Sequence, residues 1–184
     1  MIELDTERLR LRQWRAADHA AFASMNADPR VMEFYPAVLD RAASDAMAER
    51  IQARIAERGW GLWAAELRAT GEFIGYIGLQ MPVVTLPFSP CVEIGWRLEQ
   101  RFWGRGLATE GARGALRVGF AELNLEEIVS FTALLIRRSR AVMARLGMQE
   151  DKQGAFEHPS IPAGSALRLH CLYRLGRERW SELL

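Results

Sequence analysis

Lysine is nearly missing from this chain: of its 24 basic residues, 23 are arginine and one is Lys152. Charge of either sign is not in excess. The 24 basic residues face 23 acidic ones, the net charge is +1, and no overall field attracts nucleic acid. Cysteine is scarce. Cys91 and Cys171 lie 80 positions apart, each within an apolar run. There is no CxxC pair, and the one histidine near a cysteine is His170, beside Cys171 on an expected strand. A disulfide framework and a metal site are therefore not expected, and both thiols read as buried and structural. No run approaches the roughly 18–20 apolar residues of a membrane span. The first residues, "MIELDTERLRLR", are charged from position 3 and form no apolar signal core. Low-complexity segments and repeats are also lacking. These absences predict a cytoplasmic protein with no membrane or nucleic-acid partner, folded as one domain over residues 1–184.

What is present is an ordinary globular composition, 49% hydrophobic and 26% charged. Arginine favours paired contacts to oxyanions, so its abundance suits phosphate recognition. A GC-rich coding sequence, which would also explain the abundant alanine, is the preferred account of the excess as a whole. Each arginine is therefore judged by its place.

"LRLRQW" (9–14) alternates as a strand, and an Ala-rich helix follows over about 16–26. "DPRVMEF" offers Asp28 as a helix N-cap with Pro29 at the first helical position. Asp40 to Arg58 reads as a longer helix with Met47, Ile51 and Ile55 on its apolar stripe and Gly59 closing it. Three strands come next: "WGLWAAEL" (60–67), "EFIGYIGLQ" (72–80) and "CVEIGWRL" (91–98). The connection "MPVVTLPFSP" carries Pro82, Pro87 and Pro90 and cannot join a ladder. A helix running to about Leu123 then places Ala108, Ala112, Leu116, Phe120 and Leu123 on one face. The strand "EEIVSFTALL" (126–135), the helix "RSRAVMARLG" and a long stretch read mostly as loop lead to a last strand, "LRLHCLYRL" (167–175). The order predicts an α+β fold of three layers, α/β/α, around a mixed and mostly antiparallel sheet.

Residues 101–111, "RFWGRGLATEG", join a strand to a helix. Unpaired amides and the positive end of the dipole gather at a helix start. Gly104 and Gly106 let the backbone turn and approach a ligand, so successive N–H groups form a nest for an anion, with Arg101 and Arg105 at its rim. A plain tight turn has the same two glycines. Two other phosphate loops fit poorly: Thr109 stands where a dinucleotide fingerprint needs glycine, and the lysine of a Walker A loop is missing.

"RFWGRGLATEGARGAL" resembles the (R/Q)-x-x-G-x-(G/A) acetyl-CoA loop of the GCN5-related N-acetyltransferases (GNAT), and the order of elements matches that family over almost the whole chain. "TERLRLRQWRAADHAAF", "VEIGWRL" and "RSRAVMARLGM" resemble its RimJ/RimL-like branch. The resemblance implies a sheet splayed between the fourth and fifth of these strands. It implies acetyl-CoA as the cofactor, with the pyrophosphate on the amides of Trp103, Gly104, Arg105, Gly106, Leu107, Ala108 and Thr109. The pantetheine arm would run along Trp96, Arg97 and Leu98. It also implies an amine acceptor, a protein N-terminus or a small molecule, and leaves room for a homodimer.

Transfer to an amine requires a neutral nucleophile. An α-amine with a pKa of about 7.7–8.0 is roughly a tenth neutral at pH 7, whereas a lysine-like amine at about 10.4 is neutral about once in 2,500. Glu93 alternates away from apolar neighbours on "CVEIGWRL", which makes it the candidate base; an ion pair with Arg97 is the competing reading. A backbone N–H near Arg97 or Leu98 is the expected oxyanion donor. The family often has a proton-donating Tyr where Met143 stands, and the branch has Asn at Ile136. Ser139 occupies the place of a serine sometimes given the donor role, contacting the cofactor; capping the helix is its alternative. Phe34, Tyr35, Phe88 and His158 are candidate walls of the acceptor site, against plain packing for each, and His170 reads as structural. Two other classes stay open: a non-catalytic module that binds coenzyme A or a partner, and RNA association through surface arginines, which would weaken steeply with salt.

Overall fold

The computed structural model describes residues 1–183. Eight strands form one sheet: β1 (Leu4–Asp5), β2 (Leu9–Arg12), β3 (Leu62–Leu67), β4 (Glu72–Gln80), β5 (Glu93–Leu98), β6 (Glu127–Ala133), β7 (Gln149–Glu157) and β8 (Leu169–Gly176). The helices are α1 (Asp18–Ala27), α2 (Arg41–Arg58), α3 (Leu107–Arg117), α4 (Arg137–Arg145) and α5 (Arg177–Glu182). The strand order is β1-β2-β3-β4-β5-β6-β8-β7, antiparallel throughout except at β5–β6.

Strand alternation sends side chains to both faces, and each face has its own core. On β3, Trp63 and Ala65 join Leu107, Ala112, Leu116, Val142 and Trp180 from α3, α4 and α5. Leu62 and Ala64 turn the other way, onto Phe22, Met25, Ile51 and Ile55 of α1 and α2. The α/β/α layering follows from the sequence pattern. So do the ends of α2: Asp40 accepts a hydrogen bond from the Ala43 amide, and Gly59 closes the helix at φ 81°.

Two expectations fail. No helix forms after Asp28. The segment makes isolated turns, Asp28 serves as the C-cap of α1, and its carboxylate holds the Arg30 amide at 2.9 Å. Pro36 disfavours the helical conformation at Tyr35, so that turn cannot propagate. Residues 149–157 form a full strand rather than a loop; as the sheet edge, β7 carries polar residues on both sides and shows no apolar alternation. The face expected after the loop is buried at Ala112, Leu116 and Phe120, with Ala108 and Leu123 half-buried against the same core, and Leu107, Gly111 and Ala115 are buried beside it. The helix then widens into one π-type turn over Val118–Glu122.

The sheet opens between β5 and β6. Their ladder has one register pair, Glu93 with Val129, and the Val129 amide donates to the Val92 carbonyl at 2.9 Å. One residue further, the Ser130 hydroxyl donates to the Ile94 carbonyl at 3.0 Å. Beyond it, β5 continues beside β4 to Leu98 while β6 continues beside β8 to Ala133.

Candidate active site

The gap between β5 and β6 opens into a continuous cleft of about 2080 Å³. It runs from Tyr35 past Trp96 and Leu98 to the start of α3 and the exposed side of α4. Val92 and Ile94 aim their carbonyls at β6. Backbone groups alternate along a strand, so Trp96 and Leu98 aim theirs the same way, past the point where β6 departs. Arg97, out of phase with them by one residue, turns its backbone toward β4, where its carbonyl lies against Gly75, so its amide is turned away from the cleft. Of the three residues expected to meet a pantetheine arm, Trp96 and Leu98 have amides free to do so and Arg97 does not. The Leu98 carbonyl is already taken, accepting from Trp103 Nε1 at 2.8 Å.

Gly104 and Gly106 have φ of 73° and 77°. Added Cβ atoms would meet nothing within 4 Å at Gly104 and only Arg8 Nη2, at 3.6 Å, at Gly106. The glycines are thus required by backbone conformation and leave open space in front of the first amides of α3, the cradle an anion needs. Leu107 and Thr109 are buried with the helix start, and Ala108 faces the cleft. The Trp103 amide donates to Gln100 at 3.1 Å, so it is not part of the nest.

The rim arginines differ from expectation. Arg101 is held by Glu99 and Glu72 and does not line the cleft. Two carboxylates within reach outcompete a distant rim position. The guanidinium of Arg105 lies 5.5 Å from the Phe102 ring centre, while its carbonyl accepts from Arg8 Nη1 at 3.0 Å. Arg8, not expected from the sequence, is the arginine fixed at the loop. Glu110 in the first turn of α3 binds its amide at 2.7 Å and its Nε at 2.6 Å. Arg138 also reaches the loop, 4.6 Å from the Trp103 ring centre.

Glu93 is buried and makes no ion pair with Arg97. Gln80 Nε2 donates to it at 2.8 Å, and burial pushes its pKa up to about 7, against the opposing pull of that hydrogen bond. Arg97 is buried on the same face and donates to Asn26 Oδ1 at 2.7 Å, with Tyr35 stacked 4.0 Å away. Asn26 lies one helical turn beyond Phe22, so a polar side chain on an apolar face was the signal of this buried contact.

Ser139 lines the cleft on α4 but does not cap it. The N-cap is Ile136, and no side chain accepts from the first turn. Met143 is buried in the core. Phe34 and Tyr35 line the cleft, Phe34 half-buried and Tyr35 37% exposed. Phe88 and His158 do not. They belong to an aromatic cluster with Phe131, Phe156 and His170, where the two histidine rings lie 5.0 Å apart. Burial lowers the pKa of both. His170 is packed as expected of a structural residue. Among the described residues, no group of His, Cys, Asp and Glu could hold a metal, and no helix is long and apolar enough to cross a membrane.

A family model of the acetyltransferase (GNAT) domain matches residues 8–149. The chain belongs to the GNAT acetyltransferase family. It is 32% identical over 153 residues to Bacillus subtilis YkkB, covering 82% of this chain and 87% of that one. It is 35% identical over 126 residues to the FsC-acetyl coenzyme A-N(2)-transacetylase of Aspergillus fumigatus, covering 66% of this chain and 52% of that protein. The crystal structure of an acetyltransferase from Agrobacterium tumefaciens superposes with a TM-score of 0.75 at 31% identity, over 95% and 94% of the two chains. The donor of GNAT enzymes is acetyl-CoA, and the open cradle at Gly104 and Gly106 suits its pyrophosphate.

Proposed function

We propose that the chain is an acetyl-CoA-dependent N-acetyltransferase of the RimJ/RimL-like branch, acting on a primary amine by direct attack. One observation carries the reading: a buried carboxylate with a pKa near 7 sits on the strand whose cleft-facing amides flank the opened ladder. Bound acetyl-CoA supplies an activated acyl carbon and a leaving thiolate. The Trp96 amide would donate to the acyl oxygen, with Leu98 holding the arm behind it, on the side of the diphosphate. Glu93 accepts the amine proton through a water and is half ionised near neutral pH, where a base works best. Ser139 offers a hydroxyl toward the departing sulfur as a hydrogen bond or water relay. The nest at Gly104–Gly106 and the guanidinium of Arg8 hold the diphosphate.

A non-catalytic module is the second reading, favoured by the burial of Met143 and by Ile136 at the start of α4. The test is thiol release from acetyl-CoA with a panel of peptide N-termini and small amines. Acceptor-dependent release is expected. Micromolar coenzyme A binding without turnover of any amine would leave the module reading standing instead.

A further inference from the structure

The protein buries two arginine side chains in opposite ways. Arg12, 2% exposed, is enclosed by carboxylates: Asp18 at 2.7 and 2.8 Å and Glu66 at 2.6 Å. Arg97, 7% exposed, has no carboxylate within ion-pair distance among the described residues. Its Nη1 donates to the neutral Asn26 amide oxygen, and its Nε is buried without a partner. The remaining neighbours are the rings of Tyr35 and Tyr76, at 4.0 and 5.5 Å. Burial raises the pKa of the Tyr76 phenol, so it supplies no negative charge. A guanidinium does not deprotonate in a protein, so Arg97 remains a buried cation without a counter-ion, an arrangement that stands at a free-energy cost.

The site around it is built. Asn26, fully buried, is itself held by Ser44 at 2.9 Å, so α1 and α2 together fix the guanidinium. The cation also lines the cleft. Glu93, Gly95 and Arg97 share one face of β5. At Gly95 a Cβ would meet only Glu93 Oε1, at 3.9 Å. The space over Gly95 is therefore free of other side chains, beside the cleft that Arg97 lines, and Arg97 lies about 7 Å along the strand from Gly95. An amine held over Gly95, where Glu93 can take its proton, brings a group one to three bonds from the nitrogen to the guanidinium.

We propose that Arg97 is the acceptor subsite and takes a carboxylate carried by the amine substrate. Resting on the acetyltransferase reading above, this names the substrate class as amino carboxylates. The carboxylate belongs either to a free amino acid or to an acidic residue at a peptide N-terminus. It completes the charge balance that Asn26 and the two tyrosines leave open, and Arg offers it two parallel donors.

The experiment compares matched acceptors on the full-length protein: amino acids against their amides, and peptides beginning with Asp against those beginning with Asn. Wild type should prefer the carboxylate member by about 100-fold or more in kcat/KM, chiefly through KM. Arg97→Gln should collapse that ratio to about threefold or less, and Arg97→Lys should leave an intermediate ratio. Preference among free amino acids or among peptides identifies the source. Equal use of acids and amides by wild type, or an undiminished ratio in Arg97→Gln, overturns the proposal. A second readout does not need turnover. N-Acetyl amino acids are titrated calorimetrically in saturating coenzyme A. Binding by wild type that is lost in Arg97→Gln supports the subsite even if no amine is acetylated, which would sink only the enzymatic reading. No binding together with no acid preference overturns the subsite itself. Should Arg97→Gln fail to fold, the wild-type acid-to-amide ratio and Arg97→Lys decide.

Discussion

Gln80 Nε2 lies 2.8 Å from Glu93 Oε2, joining directly paired residues of β4 and β5. The amide favours the ionised carboxylate while burial opposes it, and burial wins. The result is a carboxyl that titrates near neutrality without a cation beside it.

Replacing Glu93 by Gln should therefore separate activity from stability. Its folded pKa of about 7 stands above the ordinary 4.5, so the native state holds the extra proton between those values. Native stability is favoured at low pH and falls as pH rises toward 7. At about 1.4 kcal/mol per pKa unit, the ionised form costs about 3 kcal/mol above pH 7. Glu93→Gln should melt several degrees higher than wild type at pH 8 and show little gain at pH 5, while kcat/KM falls about 100-fold or more. Paired melting curves and pH–rate profiles check both. A variant no more stable at pH 8 would mean the carboxyl is not held protonated.

Gly106→Trp should weaken coenzyme A by at least about 100-fold in calorimetry, because it fills the open nest and places a side chain at φ 77°. Gly59→Trp, also at positive φ with open space around it, serves as the control for backbone strain and should leave coenzyme A affinity intact.

Ile136→Asn introduces a side chain suited to the N-cap of α4, where no side chain now bonds. Two separable gains are expected: about 1 kcal/mol of stability without ligand, and roughly fivefold or greater tightening of coenzyme A from the added hydrogen bond. Melting without ligand and calorimetry with it distinguish them. Weaker binding would show that the isoleucine fills space the cofactor uses.

Ser139→Ala should reduce kcat by about tenfold or less and leave the alkaline limb of the pH profile in place, as a relay through water predicts. Loss beyond about 1,000-fold with a displaced alkaline limb would make the hydroxyl an obligatory proton donor.

The parts legible in the sequence are those written in local pattern. Alternation on "CVEIGWRL" put Glu93 and Arg97 on one face, and the glycines at 104 and 106 marked the turn into α3, where both take positive φ. Long-range partners were not legible. Arg101 is drawn off by Glu72, 29 residues away, and Arg97 meets Asn26 across 71. No spacing rule encodes either contact. The helix signal at Asp28–Pro29 was real in type but lost to Pro36 and to the Asp28–Arg30 turn. The polar sequence of β7 concealed a strand because an edge needs no apolar face.

Ser130 closes the gap between β5 and β6 just short of the cleft. Its hydroxyl occupies the Ile94 carbonyl where the ladder ends, so an arm laid along β5 can descend no further than that rivet. In the proposed reaction, the depth at which an acyl group would come to rest is thereby measured from Ser130. Moving the rivet by one residue would displace that depth gauge by about 3.3 Å relative to Glu93. The reach of the proposed base and the proposed seat of the acyl group would thus be set by the same stretch of sheet, one through a side chain of β5 and the other through the point where β6 lets go.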